Sequence, residues 1–409
     1  MLNYIWFSFF IAAFLSCLFQ LFVRDNSAIF AQVVQATFDM ASLSVEIALG
    51  LVGVLCLWLG FFTIAERAGF VELLTKAFRP LFKKLMPEVP NNHPAIGSVT
   101  MNMAANMLGL DNAATPLGLK AMQDLQELNP EKETASNAQI LFLVLNTSSV
   151  TLLPVTIFLF RAQQGSTDPT AVFIPILLAT CCSTLAGILI VAFIQRLNIF
   201  NKTVLLYMVA FAALIGILLA YLLSNNANSL AERSSLLGNL LLLLIMISFL
   251  VMGFLRKVNV YDAFIDGAKQ GFDVALKIIP YLVAMLVAIG VLRASLVLDA
   301  LLLGIEKVVV AFGLNSDFIA ALPTALMRPF SGSGARAMLL ETMNNYGVDS
   351  FAANVAAIVQ GSTETTFYVL AIYFGSVGIK RVRHAIGCGL FADFVGIITA
   401  ILLGYWFFT

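Results

Sequence analysis

A cluster of hydrogen-bonding side chains interrupts an apolar stretch near the C-terminus. Its members are Gln360, Ser362, Thr363, Glu364 and Thr365. On a helix they would cover nearly two turns and leave no wide apolar face for lipid. Because a carboxylate in the hydrocarbon core costs about 2.5–3.5 kcal/mol on insertion scales, we expect Glu364 to face the interior, where it holds a coupling ion or a substrate amine. In the structural alternative, the hydroxyls bond to their own helix and Glu364 pairs with an arginine.

A similar cluster lies 214 residues earlier in the chain. Asn146, Thr147, Ser148 and Ser149 occupy the matching positions, but Val150 stands where Glu364 does. One cluster therefore offers neutral groups and the other a charge, which predicts a pocket with two unlike halves. Helix packing through small residues is the alternative, since Ser and Thr also favour helix contacts in membranes.

The segment MRPFSGSGARAM, residues 327–338, has the composition of an anion site. Its polar members are Arg328, Ser331, Ser333 and Arg336. Either serine could cap a half-helix whose free N–H groups and positive dipole end attract an anion. The flanking guanidinium groups match carboxylate or phosphate. Alternatively, the arginines neutralise Glu364 or Glu341 within the fold.

Asparagines mark the corresponding segment of the first half. The amides of Asn102 and Asn106 can donate and accept, which suits a polar ligand such as a base, a sugar or an amide. We place Asp111 and Asn112 at a hairpin tip, because these residue types stabilise turns.

Composition places these segments in a membrane. The chain has 409 residues, of which 60% are hydrophobic and 11% charged, whereas soluble domains are roughly 45–50% apolar. Its net charge of zero and the lack of a basic block argue against nucleic acid, and no glycine-rich nucleotide motif is present. The five cysteines lie within apolar runs, so we expect neither disulfides nor a metal site.

Nine apolar runs are long enough for the roughly 20 residues that a bilayer requires. They cover about 3–23, 43–65, 137–160, 171–195, 203–224, 236–255, 276–296, 350–375 and 384–408. Segments 94–122 and 316–343 are broken by Gly, Pro and Asn, and we interpret both as re-entrant hairpins. This topology puts 16 of the 23 Lys and Arg residues on one face, which predicts a cytoplasmic N-terminus and an outer C-terminus.

The self-similarity predicts a duplication. We expect an all-α polytopic membrane protein with two inverted repeats, each containing a re-entrant helical hairpin. The predicted parts are a first span (1–27), repeat 1 (28–200), linker spans (201–257) and repeat 2 (258–409). Inverted repeats with interrupted helices are typical of secondary transporters, whose site lies near the membrane midplane.

Four motifs carry a family resemblance. GSVTMNMAANMLGLDNAATPLGLKAM (97–122) and LNTSSVTLLP (145–154) resemble spore maturation protein A. LPTALMRPFSGSGARAM (322–338) and IVQGSTETTFYVLAIYFGSVGIKRVRHA (358–385) resemble spore maturation protein B. The fused chain is similar to the nucleoside-recognition, or Gate domain, membrane proteins, which resemble parts of concentrative nucleoside transporters and of ferrous iron transporters. The resemblance implies a transport-type domain in which the hairpins and the spans after them form the gate.

The leading hypothesis is a secondary transporter or exporter that works by alternating access in the bacterial plasma (inner) membrane. Its solute would be small and polar, anionic or zwitterionic, and nucleoside-like or amino-acid-like. The predicted substrate-binding residues are Asn102, Asn106, Asn146, Thr147, Ser148, Ser149, Arg328, Ser331, Ser333, Arg336, Gln360, Ser362, Thr363, Glu364 and Thr365. We expect no cofactor beyond a coupling Na⁺ or H⁺, which the single acids Glu46 or Asp393 could also carry.

We expect the solute and membrane lipid as partners and no nucleic acid. Whether the chain forms a homo-oligomer is left undecided by the sequence. The alternative from another class is a membrane assembly or signalling protein that does not transport. We do not expect an enzyme, because neither an HExxH nor a GxSxG motif is present.

Overall fold

The fold consists of α-helices. The computed structural model describes residues 2–90, 92–108, 111–148, 151–223 and 230–409, without the side chains of residues 2–3 and 111–113. In chain order the helices are α1 (Leu2–Arg24), α2 (Ala28–Arg67), α3 (Phe70–Leu85), α4 (Ala95–Met107), α5 (Asp111–Glu127), α6 (Asn137–Thr147), α7 (Val155–Gln163), α8 (Phe173–Gln195), α9 (Lys202–Leu223), α10 (Leu230–Leu255), α11 (Val260–Ala294), α12 (Val297–Ala311), α13 (Leu322–Met327), α14 (Gly332–Tyr346), α15 (Phe351–Ser362), α16 (Thr366–Ser376) and α17 (Ala385–Phe408). A 3-10 helix, Asp317–Ala321, precedes α13.

Eight segments in the described part of the chain are long and apolar enough to cross a membrane: α1, α2, α8, α9, α10, α11, α15 with α16, and α17. This confirms the all-α polytopic class. Helix α2 has 40 residues, which corresponds to about 60 Å and exceeds the bilayer core of about 30 Å. The predicted first-repeat span 43–65 is therefore the apolar part of a much longer helix.

The ninth predicted span, 137–160, is divided, and its prediction as one continuous helix was wrong. Helix α6 ends at Thr147, and α7 begins only at Val155. Pro154 stands immediately before α7, and a proline disfavours helical backbone at the residue before it. Hydroxyl side chains before it compete for the backbone hydrogen bonds that a helix needs.

The polar cluster of the second half also lies at a break. Residues 363–365 separate α15 from α16, and Thr363 is extended, with φ −139° and ψ 169°. The sequence predicts that these residues lie on one helix, and that prediction was wrong. Three of the four residues from 363 to 366 are β-branched threonines, which lower helix propensity. The backbone groups at the break can then find partners elsewhere.

Both predicted hairpins are present as packed helix pairs, α4 with α5 and α13 with α14. Their entry and exit on one side of the membrane remains a prediction.

Helices at corresponding positions of the two predicted repeats pack against each other in antiparallel orientation. In α2 and α11, Gly290 lies beside Met40 and Gly267 beside Leu59. A Cβ on Gly271 would lie 2.5 Å from the backbone nitrogen of Cys56, so glycine is required for this approach. In α8 and α17, Ser183 donates a hydrogen bond to the carbonyl of Ala392, while Gln195 contacts His384. Antiparallel pairing is what inverted repeats require, although the inversion itself stays a prediction.

A buried arginine ties the halves together at one end of the bundle. The guanidinium of Arg161 is 1% exposed and donates to Asn354 Oδ1 at 2.6 Å and to Asp349 Oδ1 at 3.0 Å. Burial raises the pKa of Asp349, but hydrogen bonds from Ser166 and Thr167, together with the charge of Arg161, outweigh it, and the pKa lies below its ordinary value. The loops after α7 and before α15 are therefore fixed to each other.

A second set of contacts joins the halves at the opposite end. Lys380 pairs with Glu133 at 2.6 Å, and Arg383 donates to the carbonyl of Ala135 at 3.0 Å. The backbone N–H of Ala135 also donates to the carbonyl of Arg381 at 2.9 Å. The loop between α5 and α6 is thereby held against the loop between α16 and α17.

Candidate functional site

The two broken spans meet at their breaks. The backbone N–H of Glu364 donates to the carbonyl of Thr147 at 2.8 Å, which joins the α15–α16 break to the end of α6. The second hairpin closes the same region, because Arg328 donates to the carbonyl of Thr363 and the N–H of Phe367 donates to the carbonyl of Pro329 at 3.0 Å. Several backbone groups freed by the breaks are thus satisfied inside the protein, as membrane depth demands.

The start of α14 has the features of an anion site. Ser331, one of the two serines that the sequence offers as a cap, is its N-cap and accepts from the N–H of Gly334 at 3.0 Å. A Cβ on Gly332 would lie 3.6 Å from Arg328 Nη1, 3.8 Å from Arg336 Nη2 and 2.9 Å from Thr365 Oγ1. Two guanidinium groups therefore lie close to the positive end of a helix, where the first N–H groups have no partner within the helix. The Ser333 hydroxyl is 3.2 Å from that of Ser331.

Glu364 pairs with an arginine yet is not enclosed. Its carboxylate lies 3.4 Å from Arg328 Nη2, and the two side chains are 48% and 7% exposed. The expected interior position is therefore only half realised, because Glu364 borders an opening. The alternative that the arginines neutralise Glu364 or Glu341 holds for Arg328 with Glu364, whereas Glu341 accepts from Arg293 Nη2 at 3.1 Å.

The three asparagines form one network. Asn106 Nδ2 donates to Asn146 Oδ1 at 2.8 Å and to Asn102 Oδ1 at 3.4 Å. Asn102 Nδ2 in turn donates to the carbonyl of Ala114 at 2.7 Å. The hydroxyl of Tyr373 donates to Asn146 Oδ1 at 3.4 Å. Sequence reasoning missed Tyr373, because a tyrosine within an apolar run carries no signal of its own. The network connects the first hairpin, α6 and α16.

Several predicted hydroxyls bond to their own helices, as the structural alternative proposes. Thr147 and Ser148 donate to the carbonyl of Val144, at 3.0 and 2.8 Å, and Ser362 donates to that of Val359 at 3.1 Å. Ser149 and Val150 lie outside the described residues, as do the side chains of Asp111 and Asn112.

Other polar atoms at the α15–α16 break are buried without a hydrogen-bond partner. They are Gln360 Oε1, Thr363 Oγ1 and Arg328 Nε. An unsatisfied buried polar group costs about 1–3 kcal/mol, so most such groups in proteins are paired. This concentration of unpaired groups indicates a place where a polar solute can bind.

Asp393 of α17 belongs to the same region, although the predicted site did not include it. The hydroxyl of Thr366 donates to Asp393 Oδ2 at 2.6 Å, and Oδ1 has no hydrogen-bond partner. The sequence shows only a single acid in an apolar span, and packing against the break is what brings it to the site.

A cavity of about 540 Å³ opens elsewhere, among residues 88–89, residues 125–138 and Arg383. It lies at the end of the bundle where the α5–α6 and α16–α17 loops are joined. Its lining includes none of the predicted site residues.

Comparison with known proteins gives two kinds of similarity. The Gate family, described as nucleoside recognition, matches residues 48–164 and 275–380. Spore maturation protein B of Bacillus subtilis (strain 168) is 42% identical over 160 residues, which cover 39% of this chain and 88% of that protein. Spore maturation protein A of the same organism is 39% identical over 190 residues, which cover 46% of this chain and 93% of that protein.

Proposed function

The chain belongs to the Gate, or nucleoside recognition, family, and we propose that it is a secondary transporter or exporter. Its solute is small and polar, anionic or zwitterionic, and nucleoside-like or amino-acid-like. The solute binds where the two broken spans meet and crosses by alternating access between the two halves.

One observation carries this proposal. Charged groups and unpaired polar groups converge where the two broken spans meet. Arg328, Arg336 and the start of α14 supply positive charge and N–H donors. Gln360 and Thr363 supply buried groups without partners. An anionic group of the solute at the start of α14 would accept from both guanidinium groups, and its neutral part would contact the amides.

The two halves are joined by a few polar contacts at the centre and at each end of the bundle, as alternating access requires. Glu364 and Thr147 meet through one backbone hydrogen bond, whereas the bundle ends are joined by Arg161 with Asp349 and by Lys380 with Glu133. We propose that the bundle ends open in turn while the site stays between the breaks.

We further propose the bacterial plasma membrane as the location, with the N-terminus in the cytoplasm and the C-terminus outside. The loops joined by Lys380 and Glu133 contain residues of the basic set that the topology assigns to the cytoplasm. Arg161, which the topology assigns to the outside, lies in the cluster at the other end. Reporter fusions that fluoresce only in the cytoplasm, placed after residue 409 and after residue 257, test this orientation.

Solute binding can be tested by thermal unfolding of the purified protein in detergent. We propose a panel of nucleosides, nucleoside monophosphates, amino acids and dicarboxylates. A ligand at 100 times its dissociation constant adds about 2.7 kcal/mol to the free energy of unfolding. The stabilisation should disappear in Arg336→Gln and persist in the matched variant Arg196→Gln, which is far from the site along α8. Uptake of the stabilising solute into proteoliposomes then tests transport.

The alternative, a membrane assembly or signalling protein, draws on the hydroxyls of Thr147, Ser148 and Ser362, which already bond to their own helices. If no member of the panel stabilises the protein and Arg336→Gln unfolds at the same temperature as the wild type, this alternative replaces the transporter.

A further inference from the structure

Asp393 is a buried acid in a membrane-crossing helix. Its side chain is 1% exposed and lies in the third turn of α17. One carboxyl oxygen accepts from Thr366 at 2.6 Å, and the other has no hydrogen-bond partner. An ionised carboxylate in this position is expensive unless a cation or a full set of donors compensates it.

The charged groups that face Asp393 already compensate each other. They are Arg328 and Glu364, which lie 3.4 Å apart. Among the described residues, no basic nitrogen lies within 4 Å of the Asp393 carboxylate. The acid must therefore be neutral or hold a cation of its own.

The elements packed against this part of α17 add no further charge. Helices α6, α8 and α15 contain no charged residue, and α10 has charges only in its first turn, at Glu232 and Arg233. In α16 the titratable groups are the phenols of Tyr368 and Tyr373. The neighbouring hydroxyls are those of Thr366, which donates to Asp393, and Ser183, which donates to the carbonyl of Ala392.

Close packing connects Asp393 to the break. Gly389 and Gly396 lie one turn before and one turn after it on the same face of α17. A Cβ on Gly389 would lie 2.8 Å from the methyl carbon of Thr366, and one on Gly396 would lie 2.6 Å from that of Thr363. Because Thr363 also accepts from Arg328, any movement of the break changes the surroundings of Asp393 and of the arginine together.

We propose that Asp393 carries the coupling proton of the transport cycle. In the conformation described here the carboxyl is protonated on Oδ1. When the α15–α16 break moves and water reaches the group, the O–H bond breaks and water accepts the proton. The proposal rests on the transport function and adds to it the coupling ion and the residue that binds this ion.

Charge balance explains why a proton at Asp393 favours an anionic solute. A proton on Asp393 makes the region of Arg328 and Glu364, beside the start of α14, one charge more positive than it is with the carboxylate ionised. Proton and anion therefore bind better together than separately, which is reciprocal coupling between two sites.

A proton fits this position better than a metal cation. Hard cations take several oxygen ligands at once, whereas a proton needs one. The second carboxylate in the region, Glu364, is engaged by Arg328, and the hydroxyl of Thr147 is oriented toward its own backbone.

Infrared difference spectroscopy of the protein in detergent tests the proposal without any solute. We expect the wild type to show the carbonyl band of a protonated carboxyl at neutral pH. The band should be absent in Asp393→Asn and retained in Asp266→Asn, the same substitution at a half-exposed acid paired with Arg67. Thr366→Val keeps the carboxyl but removes a bond that favours its ionised form, so the band should persist to roughly one pH unit higher.

Two results would overturn the assignment. The first is a carbonyl band that Asp393→Asn leaves unchanged. If that variant does not fold, the corresponding result is a band whose pH dependence is the same in Thr366→Val as in the wild type. The other is a rise in unfolding temperature with Na⁺ over choline that Asp393→Asn abolishes, which would identify a sodium site. If no solute of the panel binds, the transport proposal is contradicted, but the infrared spectra can still be interpreted. If the protein transports a solute but shows no carbonyl band, only the assignment of the proton to Asp393 is contradicted.

Discussion

The backbone N–H of Glu364 and the carbonyl of Thr147 are joined by a hydrogen bond of 2.8 Å, so the break in one span is bonded to the end of a helix in the other half. Each break frees backbone groups that its own helix cannot satisfy. The two halves therefore depend on each other at the depth where unpaired groups are most costly.

Glu364→Gln should impair transport while the protein remains folded. The amide keeps the shape of the side chain but leaves the guanidinium of Arg328 without its counter-charge. Because Glu364 is half exposed, we expect a loss of unfolding free energy below about 1 kcal/mol. Uptake of the solute found by the panel should fall about tenfold or more, since losing a close charge partner costs about 1.4 kcal/mol or more. Glu133→Gln, which removes the exposed partner of Lys380, serves as the control, and undiminished uptake in Glu364→Gln would contradict the proposal.

Gly332→Ala should block the start of α14. The added Cβ would lie 2.9 Å from Thr365 Oγ1 and would occupy the space between the two guanidinium groups. We expect solute affinity to fall about tenfold, a change of about 1.4 kcal/mol, measured by the concentration dependence of thermal stabilisation. The same substitution at Gly216 in α9 meets no atom within 4 Å and should leave affinity unchanged. Equal affinities for both variants would place the solute elsewhere.

Asn106 and Tyr373 should be coupled through Asn146. Both side chains donate to Asn146 Oδ1, at 2.8 and 3.4 Å. A double-mutant cycle with Asn106→Ala and Tyr373→Phe should therefore give a coupling free energy of about 0.5–2 kcal/mol in unfolding by denaturant. Additive effects of the two substitutions would show that the network is not formed in solution. Tyr368→Phe, on the same helix, gives the matched control.

Asp349→Asn should change the response of the protein to acid. The pKa of Asp349 in the folded protein lies below its ordinary value, so the stability it contributes is complete above about pH 3.9, the value in the unfolded chain. That stability is lost as the pH falls through the lower folded-state pKa. The unfolding temperature of Asp349→Asn should therefore lie below that of the wild type at neutral pH, and the difference should shrink below about pH 4. A constant difference down to strongly acidic pH would contradict this role.

The sequence predicted the class of fold and most of the membrane spans, because apolar runs of about 20 residues are typical of membrane-crossing helices and rare in soluble domains. It also predicted that Ser331 or Ser333 caps a half-helix, since a serine at a Gly-rich helix start is a local signal, and the structure shows Ser331 in that position. The breaks after Thr147 and at Thr363 were not predicted as breaks, because their stabilisation comes from groups far away in the chain. Arg328, which donates to Thr363, lies 35 residues from it.

Asp393 and Tyr373 illustrate the same limit within the site. The sequence offered Asp393 only as a carrier of the coupling ion, and Tyr373 lies between apolar neighbours, so nothing in the sequence places either residue at the breaks. Their positions depend on how α16 and α17 pack against the breaks, which periodicity and composition do not encode. The pairing of Glu341 with Arg293 was missed for a similar reason, because α11 and α14 are far apart in the chain.

The backbone approach of α11 to α2 restricts which parts of the molecule can move. Gly267 and Gly271 bring α11 so close that even a methyl group would collide with the main chain of Leu59 or Cys56. Sliding one helix along the other would drive bulkier neighbours of these glycines into that same main chain. Helices α2 and α11 therefore move as one rigid unit. Opening toward either side of the bilayer must come from the short helices around the breaks.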